Sequence, residues 1–538
     1  MIAPADADTS SSLVSRGWAL ALVFVLVGFG LRIGGVTGFW INPDEGTYLQ
    51  ASKTLESMWA EFLENAHPPL FYALLNAVGA LSDHYVALRC FALLCGCAAI
   101  FGVYLLAAEV GGVLPGLCAA AVLAISPSAI EHSQVIRPYM PQMVCLVFGF
   151  WCLARYLRTR SRRDLWLHAV CMTLAVLIHY SSFLVVAGQG LALSVLLATR
   201  GLDGSLAKPL FAASVPVLVT MALLYLFHVL PRLEGSELQA LAQTDWLAGY
   251  MIVGVSEVWL HLIGVLRYVF GPGNEGLAAG LLFLGLGLAV WQRRYLVPAC
   301  SLAVLVVGIG AAWVQKYPFG MTRHVMYLTP FLLVPMVLPL AAGLRRGRVW
   351  AGCTVLVVGG LFYWSTPLNT VVGASSLSYR PDPERLIEVA AIEDIEDGLS
   401  AARAAGIPML MDRETYYSML PLFDGAELAR EELPGDLFHF QWDRSRVLVR
   451  NTWDLRLDAE REIDSFDGFL DSIHGAFPAL RIRELRDVAV PVIGWTPWLY
   501  ADFDQAPGRD QFAQKVRNPV LQASLWKVDI RSYTELRR

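Results

Sequence analysis

An acidic pair, Asp44-Glu45, stands directly after Pro43. A carboxylate held at a membrane–water boundary can take a proton from a hydroxyl. The same acids, in the first turn of a helix opened by Asn42-Pro43, also favour the helix dipole. Further on, His67-Pro68-Pro69-Leu70 redirects the chain, and His67 can cap that break or donate to a phosphate. A third segment runs Ser126-Pro127, Glu131-His132-Ser133-Gln134, Arg137-Pro138-Tyr139 and sets a lone arginine between two apolar runs. Such an arginine snorkels to headgroups, pairs, or binds an anion. Lys316 and Arg323-His324, ahead of Tyr327-Leu328-Thr329-Pro330, repeat the pattern. A carboxylate pair, a few cations and histidines beside a lipid boundary suit a lipid whose head is a phosphate. No G-x-S-x-G, phosphate-loop, H-E-x-x-H or dinucleotide fingerprint occurs.

The elements that must position these residues are dictated by composition. Of 538 residues, 56% are hydrophobic and 16% charged, against about 45–50% and about 25% in soluble globular proteins. This excludes an ordinary soluble enzyme and a disordered chain. A net charge of −5 gives no basic footprint for nucleic acid. The charges are unevenly spread: residues 1–366 carry 21 basic and 17 acidic side chains, residues 367–538 carry 20 and 29. Two domains are therefore expected, a transmembrane domain over 1–366 and a soluble extracytoplasmic domain over 367–538. The second reads as a small α/β domain, with a helical stretch at 383–405 and strand-like runs at Val447-Leu448-Val449 and Val488–Ile493. All nine cysteines lie in the first part, none at metal-ligand spacing, so neither a disulfide nor a zinc site is expected.

The first apolar run, Gly17–Val36, is too long for a cleaved signal and fits a retained span. Further runs lie at 86–109, 113–127, 139–157, 165–179, 182–199, 208–230, 276–292, 295–314, 325–344 and 349–366. Arginine and lysine cluster at 158–163, 200–208, 293–294 and 345–348, and the positive-inside rule puts all four on the cytoplasmic side. That holds if 69–81 and 251–271 lie on the outer surface, giving eleven spans, the N-terminus inside and the tail outside. With both inserted there are thirteen, and the 158–163 cluster faces outward. In the first outer loop, Tyr48, Ala51, Leu55, Met58, Trp59 and Phe62 recur at helical spacing with charges between them, predicting one amphipathic surface helix.

Asp44-Glu45, the His67–Tyr72 segment, Ser126-Pro127 with Ser133-Gln134 and Arg137-Pro138-Tyr139-Met140, the His179-Tyr180 pair and Arg323-His324 with Tyr327 and Pro330 together resemble the GT-C membrane glycosyltransferases. The likeness is to the bacterial branch of lipid A aminoarabinose transferases and to relatives of protein O-mannosyltransferases, over roughly residues 15–366. It implies a helical polytopic fold with juxtamembrane helices on the outer face. It also implies transfer of a sugar from a polyprenyl-phosphate donor to a glycolipid, polysaccharide or protein acceptor outside the cytoplasmic membrane, with inversion. Asp44 falls on the family's first-loop catalytic Asp, with Glu45 its usual neighbour. Arg137, Arg323, His67 and His324 are the candidates for the donor phosphate, and Tyr139, His179 and Tyr180 for the rest of the substrate. Ala66-His67 stand where the aminoarabinose transferases tend to have Glu-Lys, so a lysine or metal role there does not carry over. No metal ligand is assigned, and a divalent cation stays open. The competing class is a transporter or flippase of a lipid-linked sugar, against which stand the lack of internal repeats and the gathering of polar residues on one face.

Overall fold

The computed structural model describes residues 10–38, 40–64, 67–82, 84–231 and 248–347, and in the tail 409–412, 420–422, 432–433, 437–440, 448–450, 482–486 and 498–501. The chain divides into two compact units. One holds Met1–Val36, Trp59–Val78 and Val86–Pro381; the other holds Thr37–Met58, Gly79–Tyr85 and Asp382–Arg538.

The first unit is helical. Its long helices are α1 (Ser10–Gly38), α5 (Tyr85–Gly111), α8 (Tyr139–Thr159), α9 (Arg162–Ile178), α10 (Ser182–Ala198) and α11 (Ala207–Leu224, continued by a π turn Tyr225–Val229). After these come α12 (Val255–Phe270), α13 (Glu275–Trp291), α14 (Leu296–Trp313) and α15 (Thr329–Arg345), the last entered through a 3-10 turn Arg323–Leu328. Ten of the eleven expected spans fall on described helices at nearly the expected bounds; the eleventh, 349–366, lies outside the described residues. Six are long and apolar enough to cross a membrane, or seven if the bent pair α12–α13 counts as one. The chain is thus a multi-pass helical membrane protein. Helix α6 (Val113–Ile125) has 13 residues, about 20 Å at 1.5 Å per residue, short of a full hydrocarbon core. Helix α4 (Pro69–Gly79), with 11 residues, is shorter still. The 98° bend between α12 and α13 lets only one of them run along a membrane normal.

Helix α15 is the centre of this unit, buried on nearly every residue from Thr329 to Ala341. Pro339 has no N–H, so the carbonyl of Pro335 loses its helical partner. Gly285 of α13 sits against that carbonyl so closely that a Cβ would come within 1.9 Å of it. On the other side, α6 packs on α15, and the pairs α8–α9 and α10–α14 complete the core. Outward faces of α1 and α11 expose Leu22, Leu26, Phe211 and Phe227, as lipid-facing helices do.

In the second unit, α2 (Pro43–Lys53) begins on a reciprocal capping box: Asn42 Oδ1 accepts from the Glu45 N–H, and the Glu45 carboxylate accepts from the Asn42 N–H. The single surface helix expected through Phe62 is instead two. Thr54 is extended (φ −140°, ψ 162°) and separates α2 from α3 (Leu55–Glu64). The reason is capping: the Thr54 hydroxyl accepts from the Ser57 N–H and the Ser57 hydroxyl from the Thr54 N–H, both at 3.0 Å. Helix α2 packs on a turn at Leu420–Leu422, where Leu420 is buried. The tail strands β1 (Met409–Asp412), β2 (Glu432–Leu433), β3 (Leu437–Phe440), β4 (Leu448–Arg450), β5 (Ile482–Arg486) and β6 (Trp498–Ala501) form a sheet of order β2-β3-β4-β1-β6-β5. Strands β1 and β4 run parallel and the other pairs antiparallel. Strand β4 meets the expected run at Val447–Val449, whereas 383–405 and 488–493 lie outside the described residues.

Candidate functional site

Three of the helix breaks in the first unit carry the candidate polar residues. Pro127 ends α6 at Ser126 and starts the short helix α7 (Pro127–His132). The chain then passes Ser133, Gln134 and buried Arg137 before Pro138 caps α8 at Tyr139. Helix α9 ends in an extended residue, His179, and α10 starts after Ser181. The third break is the loop 314–322, from which the 3-10 turn presents Arg323 and His324.

Side-chain hydrogen bonds lock these breaks together. The Gln142 amide on α8 donates to the hydroxyls of Ser181 and Ser182 at 2.7 and 2.8 Å. Ser126 Oγ donates to the Val269 carbonyl on α12 at 2.8 Å, fastening α7 beneath that helix. Most unusual is Arg32 of α1, wholly buried in an apolar helix. Its guanidinium donates to the carbonyls of Leu123 and Ala124 at 3.1 and 2.8 Å, to Gly28 O at 2.9 Å and to Ser133 Oγ at 3.1 Å. The first two acceptors belong to the last turn of α6, at the negative end of the dipole; the Leu123 carbonyl also accepts from the Ser126 N–H at 3.4 Å, whereas Ala124 lies past the last helical donor. The backbone carbonyl of Arg32 also accepts from the Gln134 amide at 3.0 Å. Gly96 makes room for the contact: a Cβ there would lie 2.1 Å from Ser133 Oγ.

Around these anchors a run of rings gathers. His67 lies 5.6 Å from His179, His179 5.2 Å from Tyr139, and Tyr139 4.6 Å from His132, all centroid to centroid. His132 Nε2 lies 2.7 Å from the Tyr268 hydroxyl on α12. Arg137 and Arg323 both act electrostatically on His132. His67, His179, Arg137 and Arg323 all lie within electrostatic reach of His324. Burial, reinforced by the two arginine charges, holds the His132 imidazole well below its ordinary value, so this ring is neutral. His179 Nδ1 accepts from the Ser181 N–H at 3.2 Å, which leaves its own proton on Nε2 as a donor. His324 Nδ1 is 2.9 Å from the Thr322 hydroxyl.

Six sequence candidates, Arg137, Arg323, His67, His324, Tyr139 and His179, thus share one neighbourhood in the first unit. Tyr180 points elsewhere: its hydroxyl engages His228 Nδ1 in the π turn, and that ring stacks on Phe62 and bonds the Phe62 carbonyl. Lys316 is exposed. Asp44 and Glu45 belong to the second unit, where Asp44 is exposed in the first turn of α2 and Glu45 is buried in its capping box. Reading the sequence missed Arg32, Tyr268 and His228, and quoted His132 without assigning it. Arg32 had a usable signal, since an ionisable residue inside an apolar run is a site candidate by default. Among the described residues, no three His, Cys, Asp or Glu side chains gather to hold a metal ion.

Comparison with known proteins agrees with the resemblance read from the motifs. Residues 66–233 match the family model described as dolichyl-phosphate-mannose-protein mannosyltransferase, a glycosyltransferase signature covering the breaks at 126–139 and 179–181. No curated protein matches the chain in sequence. Among solved structures, apo ArnT from Cupriavidus metallidurans is similar at 16% identity and a TM-score of 0.47, over 67% of this chain and 66% of that one. The same protein bound to undecaprenyl phosphate is similar at 17% and 0.44, over 68% and 67%. The apo oligosaccharyltransferase of Archaeoglobus fulgidus is similar at 15% and 0.48, over 72% and 58%, so this chain spans under three fifths of its length.

Proposed function

We propose that the chain transfers a sugar from a polyprenyl-phosphate donor to a hydroxyl of an acceptor on the outer face of the cytoplasmic membrane, a glycolipid, polysaccharide or protein. The observation that carries this reading is the convergence of Arg323 and His324 with Arg137 and the rings of His67, His132, Tyr139 and His179, the last five residues lying inside the family-matched stretch 66–233. Two guanidiniums with neutral imidazole donors bind a phosphate through charge-assisted hydrogen bonds, and the apolar helices around them accept a polyprenyl tail.

In this reading the acceptor oxygen attacks the anomeric carbon while Asp44 takes its proton. The bond from that carbon to the phosphate oxygen breaks, and the electron pair leaves on the phosphate. Arg137 and Arg323 stabilise the charge that develops there. A single displacement inverts the anomeric centre, and the lipid phosphate replaces a nucleotide as leaving group. The N-terminus then faces the cytoplasm, and residues 367–538 form the extracytoplasmic domain.

The test offers the purified protein radiolabelled polyprenyl-phosphate sugars, among them mannose, galacturonic acid and aminoarabinose, with crude acceptor extract. A general base contributes about 10²–10⁴ in rate, so Asp44→Asn should lose release of polyprenyl phosphate by that factor while still binding donor. Binding without release in wild type and mutant alike would replace the transferase by a transporter.

A further inference from the structure

We propose that His132 is a further donor to the lipid phosphate, through its Nδ1–H, held in the required tautomer by Tyr268. The inference rests on the polyprenyl-phosphate reading above. His132 ends α7 and is only 2% exposed, yet its Nδ1 is enclosed without a hydrogen-bond partner among the described residues. A buried polar atom left unpaired is costly, and a binding site is one of the few places where a fold retains one. The opposite nitrogen is taken: Nε2 lies 2.7 Å from Tyr268 Oη.

Which nitrogen carries the proton follows from the tyrosine. Among the described residues the Tyr268 hydroxyl makes no other hydrogen bond, so its O–H donates to Nε2. The ring's own proton then sits on Nδ1. Burial and the charges of Arg137 and Arg323 keep the ring from taking a second proton. A phosphate has more acceptor lone pairs than two guanidiniums fill, and a third cation in the same space would be repelled by both. A neutral N–H adds a donor without that repulsion. The ring cannot turn away readily, because Tyr139 flanks it at 4.6 Å and Ser126 fastens α7 to α12. Tyr268, which reaches the phosphate only through His132, is a positioning residue.

The two amide substitutions separate the nitrogens. The side-chain nitrogen of Asn stands near the place of Nδ1, and that of Gln near the place of Nε2. The full chain in detergent micelles is titrated with polyprenyl phosphate, and the dissociation constant is read for each variant. A hydrogen bond to a charged group corresponds to about a 10- to 100-fold change in affinity. His132→Gln should weaken binding by that factor, and His132→Asn should stay near wild type. Tyr268→Phe should weaken binding in the wild-type background and change nothing further in the His132→Asn background. A general loosening of the fold would lower both amide variants together. If His132→Gln binds like wild type, or His132→Asn falls with it, Nδ1 is not a phosphate donor. Failure of the wild-type protein to bind polyprenyl phosphate would instead remove the donor reading on which the inference stands.

Discussion

Arg137 and His132 stand five positions apart, and each makes a different demand on the same buried space. Arg137 is buried and carries a permanent charge, which an apolar surrounding tolerates only with anionic or hydrogen-bonded company. Arg137→Ala should therefore raise the dissociation constant for polyprenyl phosphate, by about 10-fold or more for a lost charge-assisted bond. Titration of the purified variant checks this, and unchanged affinity removes Arg137 from the donor site. His132 makes stability depend on pH. Its folded value lies below the ordinary 6.5 because of burial and two nearby arginines, so below about pH 6.5 the unfolded chain binds a proton that the folded one does not. The contribution is present above the unfolded value and is lost as pH falls beneath it. Thermal unfolding between pH 5 and 7.5 should show a midpoint that falls on acidification, with a shallower slope in His132→Asn. These two residues were unequally legible in the sequence. Arg137 declared itself as a cation between apolar runs. His132 carried no such mark, because only the fold brings Tyr268, 136 positions later, to its ring.

The helices themselves were legible for a simple reason: a chain that must satisfy every backbone group in lipid writes long apolar runs between charged turns. The described spans fall where those runs stand. What the runs do not record is how helices end within the unit. The break at Thr54 depends on a two-hydroxyl cap that weighs more locally than the hydrophobic spacing continuing through Phe62. The short α6 ends where Arg32 collects its last carbonyls, a partnership between residues about 90 positions apart. Arg32 therefore sets the geometry of the whole 126–137 segment. Substituting Arg32→Met orphans the carbonyl of Ala124 and takes one donor each from the Leu123 carbonyl and Ser133 Oγ, which keep the Ser126 N–H and the Ala129 carbonyl as partners. Removing a buried charge offsets part of that loss, but at about 1–3 kcal/mol for the one unsatisfied acceptor the net should be a destabilisation of about 1–2 kcal/mol. A fall in the thermal midpoint in detergent, with weaker binding of polyprenyl phosphate, is the expected result. Equal stability would mean that the α6 terminus finds other partners.

At the scale of the molecule, charge alone divided the chain near residue 366, and a tail of sheet strands is present beyond it. The compact units divide it differently, because Thr37–Met58 joins the tail in the second unit. No local pattern announces this. An amphipathic helix on a membrane surface and one packed on a soluble domain carry the same spacing, and the deciding contact lies more than 360 positions away at Leu420. That leucine is 1% exposed and packs on α2, the helix that carries Asp44 in its first turn. Under the proposed mechanism the general base stands in the first turn of that helix. Leu420→Asp buries a charge against α2 and should disorder the start of that helix while leaving the first unit intact. The expected signature is a fall in kcat for sugar transfer with the dissociation constant for polyprenyl phosphate unchanged, the same split as Asp44→Asn. A parallel loss of donor affinity would show instead that the substitution disturbs more of the fold than α2, and unchanged turnover would show that α2 holds its shape without Leu420.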